Sequence, residues 1–281
     1  MLRFAKRTAK SLVRSSDALA RRLNPRYRAK RKYATEVAFW NEQLELLKAW
    51  FVDGTIDWWG IPAPSEPQKA RCADYWAVNA VLTMHRLRPA YLEELQLAPD
   101  VFRGRRVLEV GCGPLAPIQQ FVDCDRHGLD PLIDVYIETG WPLWGYDVTV
   151  VNGKAERMPY PDGYFDAVIS VNALDHVDDF QTAAGEIRRI LKRHGSLDLE
   201  LEYHAPTVTE PQALSDAIVR NAFRSFDLEK MNERGKREKA EAVRQRFGLL
   251  SHRSVHQSLP PLQPATYTDD DRFAIWHGTK H

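Results

Sequence analysis

Between residues 105 and 203, short apolar runs alternate with stretches of helical periodicity. RRVLEV (105–110), RHGLD (126–130), YDVTVVN (146–152), FDAVISV (165–171) and SLDLELEY (196–203) have the length and apolar character of strands. A helix is expected from about Leu115. Residues 180–192 carry Phe180, Ala184, Ile187, Ile190 and Leu191 at helical spacing, ahead of a turn at His194-Gly195. Strands alternating with helices predict an α/β domain on a parallel sheet. Strand five is unusual: a buried parallel strand is nearly continuously apolar, yet Leu197, Leu199 and Leu201 alternate with Asp198, Glu200 and Glu202. Its acidic face is expected to be open to water or paired.

Upstream, residues 34–51 place Phe39, Trp40, Leu44, Leu47 and Phe51 on or near one helix face. Asp53-Gly54 turns the chain, the Pro-rich 60–67 forms a connection, and 68–97 return to helical periodicity. Five of the eight tryptophans, Trp40, Trp50, Trp58, Trp59 and Trp76, precede residue 80, either packing these helices onto the next domain or lining an acceptor pocket. Downstream, 212–247 read as a mixed-charge helical region, SFDLEK (225–230) as a weak sixth strand and RFAIWHG (272–278) as a closing strand.

Charge divides the chain further. The net charge is +1, but residues 1–32 hold twelve Lys/Arg against the single acid Asp17, so the remainder is acidic. On a helix, Leu2, Ala5, Ala9, Leu12, Ser16, Leu19 and Leu23 form a stripe flanked by Arg and Lys, and Asn24-Pro25 ends it. Such an arm suits an anionic membrane surface, a targeting segment, or docking on the acidic body. The organisation expected is a basic amphipathic arm (1–32), a helical extension (33–102) and an α/β domain (103–281) with a cap over 204–270. No run reaches the ~18 consecutive apolar residues of a membrane span. Three cysteines, Cys72, Cys112 and Cys124, are too few for a disulfide framework. A cytoplasmic protein, peripheral on the membrane through its arm, is expected.

The chemistry lies in the turns. Gly111 and Gly113 allow a tight bend and close approach of a ligand to the main chain. Asp130, 19 residues beyond Gly111 at the end of the second strand, is placed to accept hydrogen bonds from both hydroxyls of a ribose. Together they point to a nucleoside ligand.

VLEVGCGP (107–114), GLDP (128–131), NGKAERMPYPDGYFDAVIS (152–170), VNALDHVDD (171–179) and EIRRILKRHGSL (186–197) resemble the class I S-adenosylmethionine-dependent methyltransferases, in particular their small-molecule and glycan group. The resemblance covers about residues 103–203. It implies a Rossmann-like, mostly parallel seven-stranded sheet and S-adenosylmethionine as cofactor. It also implies that Glu109, Gly111 and Gly113 flank the methionine part, Asp130 holds the ribose, Ala155 and Glu156 edge the adenine, and Asn172 closes the pocket near the sulfonium. Two positions depart from the family pattern. Leu115 stands where a third glycine is common, and Lys154 replaces the acid before the adenine-edging alanine. Lysine accepts no hydrogen bond, so Glu156 or a backbone carbonyl takes that part.

Methyl transfer requires alignment and, for a hydroxyl acceptor, removal of a proton. His176 after strand four and His204 after strand five are the expected catalytic residues, the latter in a polar loop with Thr207 and Glu210. Asp175, Asp178 and Asp179 are read as a solvated helix N-terminus rather than a cation site, so no metal is expected. Asn172-Ala173-Leu174-Asp175 lacks the Pro-Pro-aromatic turn of amino-directed nucleic-acid enzymes, and the acidic body lacks their basic footprint. The expectation is O-methylation of a sugar, glycolipid or polysaccharide-type acceptor. An isoprenoid quinone or polyketide, or a non-catalytic cofactor-binding scaffold, is the alternative.

Overall fold

The structure, a computed structural model, describes residues 25–58, 61–64, 75–207, 209–235 and 271–281. The arm up to residue 24 lies outside them. Strands form at Arg106–Val110 (β1), Asp125–Asp130 (β2), Thr149–Asn152 (β3), Phe165–Val171 (β4), Leu191–Tyr203 (β5), Phe226–Gly235 (β6) and Arg272–Lys280 (β7). They make one seven-stranded sheet in the order β3-β2-β1-β4-β5-β7-β6. Neighbours from β3 to β5 are parallel, and β7 runs antiparallel between β5 and β6. The order reverses between β1 and β4, which opens a crevice beyond their carboxyl ends.

Both faces are covered. Leu108, Val110, Val168, Leu197, Leu199 and Leu201 pack beneath helices Phe180–Ile190 (α5) and Asp216–Ala222 (α6). Val107, Ala167, Ile169 and Val171 meet the N-terminal layer of Pro25–Lys48 (α1), Trp76–Leu87 (α2) and Ala90–Glu94 (α3), with Ile133–Glu138 (α4) alongside. Each fully buried Leu or Val contributes about 1.5–3 kcal/mol. Trp50 and Trp58 are buried in this layer, and the Trp50 indole donates to the carbonyls of Ile61 and Pro62, both at 3.0 Å. Trp40 instead lies at the crevice, edge-on to Trp141 at 5.7 Å. Trp50 and Trp58 thus pack the layer, whereas Trp40 lines the crevice.

Local chemistry sets the boundaries. Pro25 opens α1, where its missing N–H costs nothing, and Gly54 closes the helix's final π turn at φ 62°. Asp179 caps α5 by accepting the Thr182 N–H, and Arg188 and Arg189 occupy the last turn.

Several elements differ from expectation. Residues 75–97 split into α2 and α3 because Pro89 disfavours a helical Arg88, whose φ and ψ are −133° and 85°. Near Leu115 only a 3-10 turn forms, Pro117–Gln120, following Ala116 at φ 42°. Between 212 and 247, α6 is seven residues long and the chain then enters β6. SFDLEK is thus the start of a real strand, whose ladder with β7 overrides local helix propensity. Residues 236–247 lie outside the described residues. His194, at φ 62°, makes its turn inside β5, where the register against β4 shifts between Phe165 and Ala167. The acidic face of β5 is not open: Asp198, Glu200 and Glu202 are 5%, 2% and 2% exposed, enclosed because β7 pairs alongside and the N-terminal layer covers that side of the sheet.

Candidate active site

The turns after β1, β2, β3 and β4 converge on one cavity of about 520 Å³, roofed by α1 through Tyr33, Glu36 and Trp40 and reaching α2 and α3 at Met84 and Tyr91. Gly111 sits at φ +78°, and a Cβ there would stand 2.2 Å from the Ala173 Cβ. Only glycine satisfies both constraints. Gly113, at φ +54°, donates its N–H to Asp130 Oδ2 at 3.2 Å, while Leu132 N–H donates to Oδ1 at 2.9 Å. Asp130 is buried, which raises its pKa to about 6, and it lines the cavity.

The other residues expected around a cofactor divide. Ala155, Glu156 and Asn172 line the cavity with Gly111 and Gly113. Asn172 sits at φ 49°, anchored by its N–H to the Glu200 carbonyl at 3.0 Å. Glu109 does not line the cavity. It lies fully buried behind the glycine loop, accepts the Ile118 N–H at 3.0 Å, and is pushed up to about 8 by burial. Glu156 Oε1 accepts the N–H groups of Asp178 (2.7 Å) and Asp179 (3.2 Å), so one oxygen secures the turn before α5. Lys154 pairs with Asp178 at 2.8 Å, which raises its pKa, and leans on the Tyr33 ring.

The two histidines separate in role. His176 and Glu210 stand at the cavity wall, whereas His204 lies behind them, against Asp175. His204 Nε2 is 3.5 Å from Asp175 Oδ2, and that carboxylate holds the imidazole up to about 9. His176 Nε2 lies 3.8 Å from both Asp175 Oδ2 and Glu210 Oε1. Of the three aspartates read as a solvated helix N-terminus, Asp179 is that cap and Asp178 is an exposed ion-pair partner. Asp175 is fully buried because the turn after β4 folds it inward beneath the β5 loop, whose Gln212 N–H reaches the Asp175 carbonyl. Cys112 is buried, and burial pushes its thiol well up, so it is no nucleophile.

Sequence reasoning missed the roof. Lys32 on α1 donates to the His176 carbonyl and lies 3.6 Å from Asp178, clamping α1 over the turn after β4. The aromatic face of residues 33–40 was the available signal, but not its docking partner. On α2, His85 Nε2 meets the Leu115 carbonyl at 2.8 Å and Nδ1 meets the Gln120 amide at 3.2 Å. Burial lowers His85 to about 4, so it is neutral and supports the loop.

Residues 108–198 match the family described as "Methyltransferase domain". Among curated relatives, the chain is 30% identical over 182 residues to the ubiquinone/menaquinone biosynthesis C-methyltransferase UbiE of Pseudomonas fluorescens, covering 58% of this chain and 64% of that one. It is 35% identical over 100 residues to the sterol 24-C-methyltransferase of Yarrowia lipolytica, covering 33% and 26%. The chain thus spans less than two thirds of either relative. Among solved structures, a putative methyltransferase of Haloferax volcanii in complex with the Trm112 methyltransferase activator aligns with a TM-score of 0.49 and 18% identity, over 74% of this chain and 97% of that one. Among the described residues no helix is long and apolar enough to cross a membrane.

Proposed function

We propose that this chain, whose residues 108–198 belong to the class I S-adenosylmethionine-dependent methyltransferases, transfers a methyl group to a hydroxyl of a small-molecule acceptor. The observation that carries the reading is Asp130. Its carboxylate ends β2, is fixed by the N–H groups of Gly113 and Leu132, and faces a cavity whose glycine loop admits no side chain at Gly111. A nucleoside with a charged amino-acid tail fits this donor and acceptor set. Asp130 takes the ribose hydroxyls, Ala155 and Leu132 flank the base, and the Gly111–Gly113 backbone receives the methionine part. Glu109 acts from behind, holding the loop in shape. S-adenosylmethionine supplies, when bound, a sulfonium methyl for in-line transfer.

At the acceptor end, His176 and Glu210 hold the hydroxyl and take up its proton charge, while Asp175 and His204 orient them from behind. His204, held up to about 9 by Asp175, is an imidazolium at neutral pH and is therefore a positioning residue in this reading, not the base. Phe39, Trp40, Met84 and Tyr91 give the cavity apolar lining, which with the quinone and sterol relatives supports a second reading: carbon methylation of a flat apolar ring. The glycan-type acceptor and the membrane surface draw on the basic arm of the sequence alone.

The test has two stages. Calorimetry should show S-adenosylhomocysteine binding that Asp130→Ala weakens. Methyl transfer is then assayed against quinols, catechols and glycosides. Absence of cofactor binding by the full chain would remove the methyltransferase reading, and transfer to carbon alone would select the second one.

A further inference from the structure

The turn after β4 and the loop after β5 bring together side chains able to ligate a metal. Asp175, His176 and Glu210 each offer a ligand atom within 4.8 Å of the other two. The measured separations are 3.8 Å for His176 Nε2 to Asp175 Oδ2, 3.8 Å for His176 Nε2 to Glu210 Oε1, and 3.5 Å for His204 Nε2 to Asp175 Oδ2. Ligands sharing one ion at about 2.0–2.2 Å stand roughly 3–3.5 Å apart, so small side-chain rotations close the set.

One feature of this cluster points to a bound cation. Asp175 is 0% exposed and neither of its carboxylate oxygens accepts a hydrogen bond. A buried anion left in that state is costly unless a cation stands beside it. Beside it, His204 Nδ1 lies 2.7 Å from the Ala205 carbonyl, which orients the ring with Nε2 toward Asp175 Oδ2. Glu210 is already oriented toward the same point, because Thr207 Oγ1 donates to its Oε2 at 3.1 Å and leaves Oε1 toward His176.

We propose that Asp175, His176 and Glu210 bind a divalent first-row cation, with His204 standing behind Asp175. The mixed imidazole and carboxylate set suits Mn²⁺, Fe²⁺ or Zn²⁺ better than Mg²⁺. Because His176 and Glu210 also form the cavity wall, the open side of the ion faces the acceptor. An acceptor hydroxyl there becomes a ligand and its pKa falls; since the ion then occupies the lone pairs of His176 and Glu210, the proton leaves to water instead of to them. This use of the site rests on the hydroxyl-acceptor reading above. Binding of the ion does not.

The experiment uses full-length protein stripped with chelator and titrated with Mn²⁺ alone. Free Mn²⁺ is read by electron paramagnetic resonance, and S-adenosylhomocysteine binding by calorimetry on the same samples. One equivalent of Mn²⁺ should bind, Glu210→Gln should weaken it at least ~10-fold, and Asp175→Asn should abolish it. Glu210 lies half-buried on a loop, so its variant carries the test if Asp175→Asn does not fold. Lack of saturable Mn²⁺ binding alongside intact S-adenosylhomocysteine binding overturns the cation site and leaves the methyltransferase reading standing. Equal Mn²⁺ binding by wild type and Glu210→Gln overturns it too, by placing the ion elsewhere. Failure to bind S-adenosylhomocysteine would instead strike the function proposed above.

Discussion

Lys32, in the second turn of α1, reaches across to Asp178, in the turn that follows β4, at 3.6 Å, and also donates to the carbonyl of His176. It is the bond that closes the N-terminal layer over the cavity. Partly exposed ion pairs contribute about 0.4–1 kcal/mol, so Lys32→Ala should weaken cofactor binding about two- to five-fold. Calorimetry measures this directly, and an unchanged affinity would mean that α1 does not form the roof in solution.

Asp130 sets a pH limit on the same binding. Burial raises its pKa to about 6, with Glu36 pushing in the same direction and His176 opposing it. A carboxylate accepts from two ribose hydroxyls, while its protonated form donates one hydrogen and accepts less. Affinity for S-adenosylhomocysteine should therefore be full above pH 6 and fall as the pH drops below it. Asp130→Ala should be about ten- to a hundred-fold weaker at neutral pH and should lose that pH dependence.

Two glycines should respond oppositely to alanine. Gly111 has φ +78° and no room beside Ala173, so Gly111→Ala should cost more than about 2 kcal/mol in urea denaturation, combining left-handed strain with overpacking. Gly185 lies inside α5 with no atom within 4 Å of an added Cβ. Gly185→Ala should stabilise by about 0.5–1 kcal/mol.

Asp198 makes stability depend on pH. Burial raises its pKa to about 7, opposed by Arg105, with His277 Nδ1 3.8 Å away. The native state thus binds a proton that the unfolded chain, with its ordinary carboxylate, has released. Between about pH 4 and 7 this group's contribution to stability falls as the pH rises. Asp198→Asn should remove that slope, so that its stability relative to wild type rises steadily from about pH 4 and levels off above about pH 7. Parallel urea midpoints across the range for both proteins would exclude Asp198 as the source.

What could be read along the chain and what could not divides by the distance between partners. Gly111, Gly113 and Asp130 lie within one β-turn-β unit, and their spacing alone placed them around one ligand. SLDLELEY announced a strand, but its acids are buried because β7, far along the chain, pairs beside them and the N-terminal layer covers them. Such enclosure leaves no local mark. The mixed charges of residues 226–235 suited a helix equally well until β7 supplied a partner. His176 and His204 both follow strands, as expected. Which of them faces the cavity depends on how the turn holding Asp175 folds inward, and periodicity carries no such information.

The position of β7 has a consequence for biosynthesis. Residues 272–280 pair on one side with β5 and on the other with β6, so β6 has no place in the sheet until they arrive. A growing chain emerging from the ribosome can assemble β1 to β4 early, while β5 presents an unpaired edge until residue 280 has been translated. Such an edge is a template for pairing with another chain. The vulnerable interval in this protein's life is therefore the one between synthesis of β5 and synthesis of residues 272–280, when the cleft residues are already made but the strand that seals the sheet behind them is not.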